Sequence, residues 1–119
     1  MDILEKEILD KWIIDVNETQ TPLIVEGKKD VAALRNIGIR NRIFSLNKPL
    51  YSFVEQIVES TDSIIILTDL DREGKELYHK LKTGLERFGV KVDRRFRERL
   101  QKNTKISHIE GIDTYYQNL

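Results

Sequence analysis

Two short apolar runs constrain this chain more than anything else in it. Leu23-Ile24-Val25 and Ile64-Ile65-Ile66-Leu67 show no polar alternation, so each reads as a strand covered on both faces. Each run leads at once into an acidic, glycine-containing stretch and then into a helical pattern. Repeated strand-then-helix units of this kind build a parallel sheet with helices on both sides. The expectation is a compact, Rossmann-like α/β fold with a central, mainly parallel four-stranded sheet flanked by helices.

The remaining elements fit that plan. Residues 3–18 read as an extra N-terminal helix, with Ile8, Trp12 and Val16 four apart beside Leu4, Leu9 and Ile13, and with Asp2 and Glu5 spaced like a capping box. Trp12 is expected in the core. Residues 28–36 form a helix with Val31 and Leu34 inward, stopped near Gly38, and 42–46 a second strand. After the Asn47-Lys48-Pro49 turn comes a helix carrying Phe53, Val54, Ile57 and Val58. A long helix over 72–88 has Leu77, Leu81, Leu85 and Phe88 as its apolar stripe and Gly89 as its stop. Residues 90–92 give a short strand, and 94–101 a basic helix with Phe96 and Leu100 inward and its arginines outward. Residues 106–109 read as a last edge strand, and 111–119 as a short helix or tail with Tyr115 and Tyr116 packed or exposed rather than stacked on a base.

In an open α/β sheet, ligands gather beyond the carboxyl ends of parallel strands, so the acids after the two runs should share one rim. Asp69 and Asp71, two apart in extended chain, point to the same side and suit one hard cation bound through oxygen. Glu73 opens the next helix, either as a further ligand or as a helix cap. Gly74 lets a phosphate approach the helix terminus, with Arg72 and Lys75 flanking it. Glu26 ends the neighbouring strand and is placed as general acid or base as well as candidate ligand. Gly27 allows a sharp turn, Lys28 and Lys29 begin a helix and are candidates for contacting a nucleic-acid backbone, and Asp30 caps the helix or holds outer-shell water. His79 and His108 lack ligand spacing and are read as surface or structural residues.

Composition removes several alternatives. With 119 residues the chain reads as a single domain, 1–119, with core motifs over about 22–93. The absence of cysteine excludes disulfides, thiol catalysis and cysteine-ligated zinc. No apolar stretch is long enough for a bilayer and the N-terminal segment mixes acids with bases, so no membrane association and a cytoplasmic location are expected. The formal charge is zero but unevenly spread: residues 1–20 hold six acids against two bases, and 91–105 hold seven bases against two acids. Arg94, Arg95, Arg97 and Arg99 in that basic segment are therefore candidates for gripping phosphates.

The motif Glu26-Gly27-Lys28-Lys29-Asp30 and the motif Asp69-Leu70-Asp71-Arg72-Glu73-Gly74 resemble, in order, spacing and strand context, the two acidic signatures of the Toprim domain. That metal-dependent module is shared by topoisomerases, bacterial-type primases and several small nucleases. The resemblance implies Mg2+, with Mn2+ as a substitute, held through the aspartates, and Glu26 as the acid/base in cleaving or joining phosphodiesters. The second motif is similar to the type IA topoisomerase form, the first to primases and ribosomal-RNA maturation nucleases. The chain has no room for a tyrosine-bearing topoisomerase domain and no cysteines for a primase zinc module. By elimination and likeness to the short maturation nucleases, the leading expectation is a small nuclease acting on RNA in preference to DNA. The alternatives are a non-catalytic nucleic-acid-binding or accessory module, and a primase-like or strand-joining subunit that needs a protein partner. In this family the turn after the second strand often has glycine; here it is Asn47-Lys48-Pro49, and asparagine tolerates the same left-handed turn.

Overall fold

The computed structural model describes residues 3–119. Among the described residues there are six helices and four strands, alternating as far as β4. They are α1 (Ile3–Thr19), β1 (Leu23–Val25), α2 (Lys28–Asn36), β2 (Ile43–Ser45), α3 (Leu50–Ser60), β3 (Ser63–Ile66), α4 (Arg72–Arg87), β4 (Lys91–Val92), α5 (Arg95–Asn103) and α6 (Ile112–Gln117). A short 3₁₀ turn, Ile109–Gly111, precedes α6. The expected Asp2 cap lies outside the described residues.

The sheet is parallel throughout, in the order β2-β1-β3-β4. Leu23 pairs with Ile65 and Ile24 with Ile66, and the ladder continues as the Leu67 N–H donates to the Ile24 carbonyl at 2.8 Å. Side chains alternate across the sheet with a period of two. Leu23, Val25, Ile65 and Leu67 enter a core layer shared with Leu9, Trp12, Leu34, Phe96 and Leu100, while Ile24, Ile64 and Ile66 enter the opposite layer with Phe53, Ile57, Leu81 and Leu85. Helices on both faces explain why the strands carry no polar alternation. The chain leaves β1 to one side for β2 and crosses back to β3 on the other, so the reversal of strand order falls between β1 and β3. That crevice is where an open α/β sheet receives its ligand.

α1 is fixed to the body by Leu9, Trp12 and Val16, all buried, and by the Trp12 Nε1–H, which donates to the Phe96 carbonyl at 2.9 Å. Tyr115 and Tyr116 of α6 donate to the carboxylates of Glu5 and Asp10, so these tyrosines tie the last helix to the first. Among the described residues, no helix is long and apolar enough to cross a membrane.

Two local expectations need correction, and the turn after β2 is resolved. Residues 106–109 are not a strand: Ile106, Ile109 and Ile112 are buried at intervals of three, a spacing that a 3₁₀ turn serves and a pleated strand cannot. Phe88 is 57% exposed, because it sits at the C-cap where the backbone has left the helix, and Tyr78 joins Leu81 and Leu85 on the buried face instead. Gln20, at φ 56°, is the only described non-glycine residue with positive φ, so Asn47 does not take the left-handed turn.

Candidate metal and catalytic site

Glu26 follows β1 and the Thr68–Asp71 loop follows β3, which places both acidic motifs at the carboxyl rim beside the strand-order reversal. Glu26 Oε2 accepts the Asp69 N–H at 2.7 Å. One strand-end carboxylate is thus locked to the loop that carries the other two. Asp71 N-caps α4, its Oδ1 accepting the Gly74 N–H at 2.8 Å, and Asp69 Oδ1 accepts the Ile109 N–H at 2.9 Å. Each aspartate is therefore oriented by a backbone N–H through its Oδ1, which turns Oδ2 to the rim, where that of Asp71 meets His108 Nε2 at 3.3 Å.

Gly74 matters for a different reason from the one its motif implies. A Cβ there would lie 1.8 Å from the Asp69 carbonyl oxygen, so the first turn of α4 can press against the loop only without a side chain. The buried Thr68 hydroxyl closes the same contact by donating to the Gly74 carbonyl at 2.7 Å. Gly27, by contrast, has extended backbone at φ −155° and nothing within 4 Å of a would-be Cβ, so no sharp turn depends on it. Asp30 is buried and accepts the Gly27 N–H at 2.9 Å, which makes it the helix-capping residue of α2.

Arg97 requires the largest correction among the candidate site residues. Its position on a basic helix predicts a solvent-facing phosphate contact, yet it is only 3% exposed. Its Nη1 donates to the Thr68 carbonyl at 2.7 Å and its Nη2 to the Asp69 carbonyl at 2.8 Å, beneath the acidic loop. Burial pulls its pKa down, while Tyr78, Glu26, Asp69 and Asp71 oppose the shift. Arg97 is a positive strut under the carboxylates and is not available to grip a polyanion. Replacing it with methionine keeps volume but strands two carbonyls and removes the charge, so Arg97→Met should cost about 3–5 kcal/mol of stability in urea unfolding. A variant as stable as wild type that merely binds nucleic acid less tightly would contradict this placement.

The other arginines of the segment are also partly engaged. Arg95 pairs with Asp93 at 2.8 Å, and Arg99 pairs with Asp15 of α1 at 3.0 Å, so the acidic first helix meets part of the basic charge. Arg94 lines a cleft between α4 and α5 with Lys75 and Lys82. Lys28 and Lys29 are exposed on the first turn of α2, and Arg72 is exposed and reaches Glu76 at 3.6 Å.

His108, which lacks ligand spacing in the sequence and reads there as a surface or structural residue, lies beside the two aspartates. His108 Nε2 lies 3.3 Å from Asp71 Oδ2, and donor atoms of Asp69, Asp71 and His108 all fall within 4.8 Å of one another. Glu26 and Glu73 are outside that trio, and Glu73 is exposed on α4. The only sequence signal for His108 is the spacing of three between its isoleucine neighbours, which turns it outward at the rim. Two carboxylates and an imidazole form a donor set that fits a divalent cation.

Four carboxylates crowd this rim, and the proton affinity of Glu26 reflects it. Burial raises its pKa, the charges of Asp69, Asp30 and Asp71 add to that, and the Asp69 N–H acts the other way. The folded state thus holds the Glu26 proton more tightly than the unfolded chain does, and stability falls as pH rises through the folded pKa. In chelator, Glu26→Gln should melt higher than wild type near pH 7.5, with the gap closing below about pH 4, where the glutamate is protonated in both states. A gap that stays constant from pH 4 to pH 8 would show that Glu26 ionises without penalty.

A sequence model of the Toprim domain matches residues 20–95, well over half of the chain. The chain belongs to the Toprim family. It is 42% identical to a UPF0292 protein of Pyrococcus horikoshii over 87% of this Toprim chain and 79% of the relative. A UPF0292 protein of Thermococcus onnurineus is 38% identical over 93% and 80%, and one of Methanosarcina barkeri 34% identical over 82% and 70%. Among solved structures, a putative protein from Aquifex aeolicus superposes with a TM-score of 0.77 at 34% identity, covering 87% of this chain and 97% of that one. The Toprim fold expected from the two acidic motifs is therefore the fold observed.

Proposed function

We propose that this Toprim protein is a divalent-cation-dependent nuclease acting on RNA, with Mg2+ or Mn2+ as the ion. The observation that carries the reading is Glu26: a carboxylate with raised proton affinity, fixed by the Asp69 N–H beside the two aspartates. Asp69 and Asp71, with one oxygen each held by a backbone N–H, would hold the cation, which when bound supplies positive charge against the scissile phosphate. Glu26 keeps Oε2 on the Asp69 N–H and exchanges a proton through Oε1, as base toward the attacking water or acid toward the leaving oxygen. Lys28, Lys29, Arg72 and Lys75 flank the rim, and Arg94 with Lys82 extends positive charge along the cleft between α4 and α5, a path for the phosphate backbone. The preference for RNA rests on likeness to the short maturation nucleases.

The test is cleavage of end-labelled structured RNA and of matched single-stranded DNA by purified protein, with Mg2+, with Mn2+ and with chelator. Cation-dependent cleavage of RNA above DNA is expected. Binding of either polymer without cleavage would replace the nuclease reading with an accessory module. Activity gained only when a second protein is added would point to a primase-like or strand-joining subunit.

A further inference from the structure

We propose that His108 is a third protein ligand to the cation held by Asp69 and Asp71, and that it tilts the site toward Mn2+ over Mg2+. The assignment rests on the reading of those aspartates as ligands and adds a residue from outside both acidic motifs. His108 arrives on the segment between α5 and the 3₁₀ turn, and that segment is fastened to the acidic loop at two backbone points. The Leu70 N–H donates to the Ser107 carbonyl at 2.8 Å, and the Ile109 N–H donates to Asp69 Oδ1 at 2.9 Å. These bonds flank His108 on both sides, so its position relative to Asp69 and Asp71 is set by the backbone.

The ring is oriented as well as positioned. Nδ1 lies 3.0 Å from Ser107 Oγ, and with Nδ1 protonated and donating there, Nε2 keeps the lone pair that a cation requires. Nε2 is the atom that faces Asp71 Oδ2, at 3.3 Å. Neighbouring donors around an octahedral ion with bonds of about 2.1–2.2 Å are roughly 3 Å apart, so this separation suits two ligands on one ion without rearrangement of the chain. Both side chains are partly open to solvent, at 55% for His108 and 38% for Asp71, which leaves coordination positions for water and substrate. Mg2+ prefers an all-oxygen shell and gives up water reluctantly, whereas Mn2+ accepts carboxylate and imidazole together.

The experiment is calorimetric titration of Mn2+ and of Mg2+ into wild type and His108→Ala, together with pulsed electron paramagnetic resonance of the bound Mn2+. Wild type should bind Mn2+ at least tenfold more tightly than Mg2+ and show coupling to a directly bound 14N. His108→Ala should lose that coupling and about tenfold in Mn2+ affinity, with Mg2+ affinity changed less than twofold. An unchanged melting temperature in chelator checks that the variant is folded, as expected for an exposed ring. Bound Mn2+ without 14N coupling in wild type, or equal Mn2+ affinity in the two proteins, would overturn the assignment and leave His108 as an ion-pair partner of Asp71. A 14N-coupled ion in a protein that cleaves nothing would uphold the ligand and sink the nuclease reading.

Discussion

Gly74→Ala is expected to unfold the acidic loop, and with it much of the domain. The added carbon would sit 1.8 Å from the Asp69 oxygen, 2.4 Å from its carbonyl carbon and 2.8 Å from its Cα. All three atoms are backbone, so no side-chain rotation relieves the overlap. The first turn of α4 would have to move away from the loop, breaking the Thr68 hydroxyl's bond to the Gly74 carbonyl and straining the Asp69 carbonyl's bond to Arg97. Overlap of this kind belongs to the small class of single substitutions that cost more than about 4 kcal/mol. For a domain of this size that is a fall in melting temperature of roughly 15 °C or more, or failure to recover folded protein. Gly27→Ala is the matched control, since its Cβ would meet nothing within 4 Å, and it should stay within about 1 kcal/mol of wild type. Similar melting curves for the two variants would mean that α4 does not approach the loop as closely as described.

Asp71→Asn should abolish cation-dependent cleavage, by at least about 100-fold, while sparing the fold and the grip on RNA. The change removes the charge but keeps a side-chain oxygen to accept the Gly74 N–H, so the α4 cap survives. Alanine would confound the result by removing the cap as well. Loss of one negative charge at the rim should leave RNA affinity unchanged or higher. Thermal melts and filter binding alongside the cleavage assay separate these effects. Near-normal cleavage by a folded Asp71→Asn protein would show that this carboxylate is not part of the reacting centre.

The legible parts of the chain are those where one physical rule acted alone. β1 and β3 could be read because a strand covered on both faces must be apolar throughout, and Leu23–Val25 and the 64–67 run are. The rim position of Glu26, Asp69 and Asp71 followed from their places directly after those strands. Arg97 could not be read, because charge argued for solvent while helical position put it beside Phe96 and three residues from Leu100, both buried. Its stem lies in that layer and its head group finds two carbonyls, a satisfaction invisible without the loop in place. His108 could not be read as a ligand, because sequence spacing offers it no partner ligand, and the aspartates it meets lie nearly forty residues earlier in the chain.

The Toprim match ends at residue 95, but the rim it defines is finished by residues beyond that point. The guanidinium under the acidic loop belongs to Arg97, and the N–H that orients Asp69 belongs to Ile109. A graft of the matched segment alone into another scaffold would carry every signature acid and inherit none of this support. For module exchange, the transferable unit is therefore longer than the recognisable motif: it must run through the 3₁₀ turn, and a host that lacks an equivalent segment would have to supply its own.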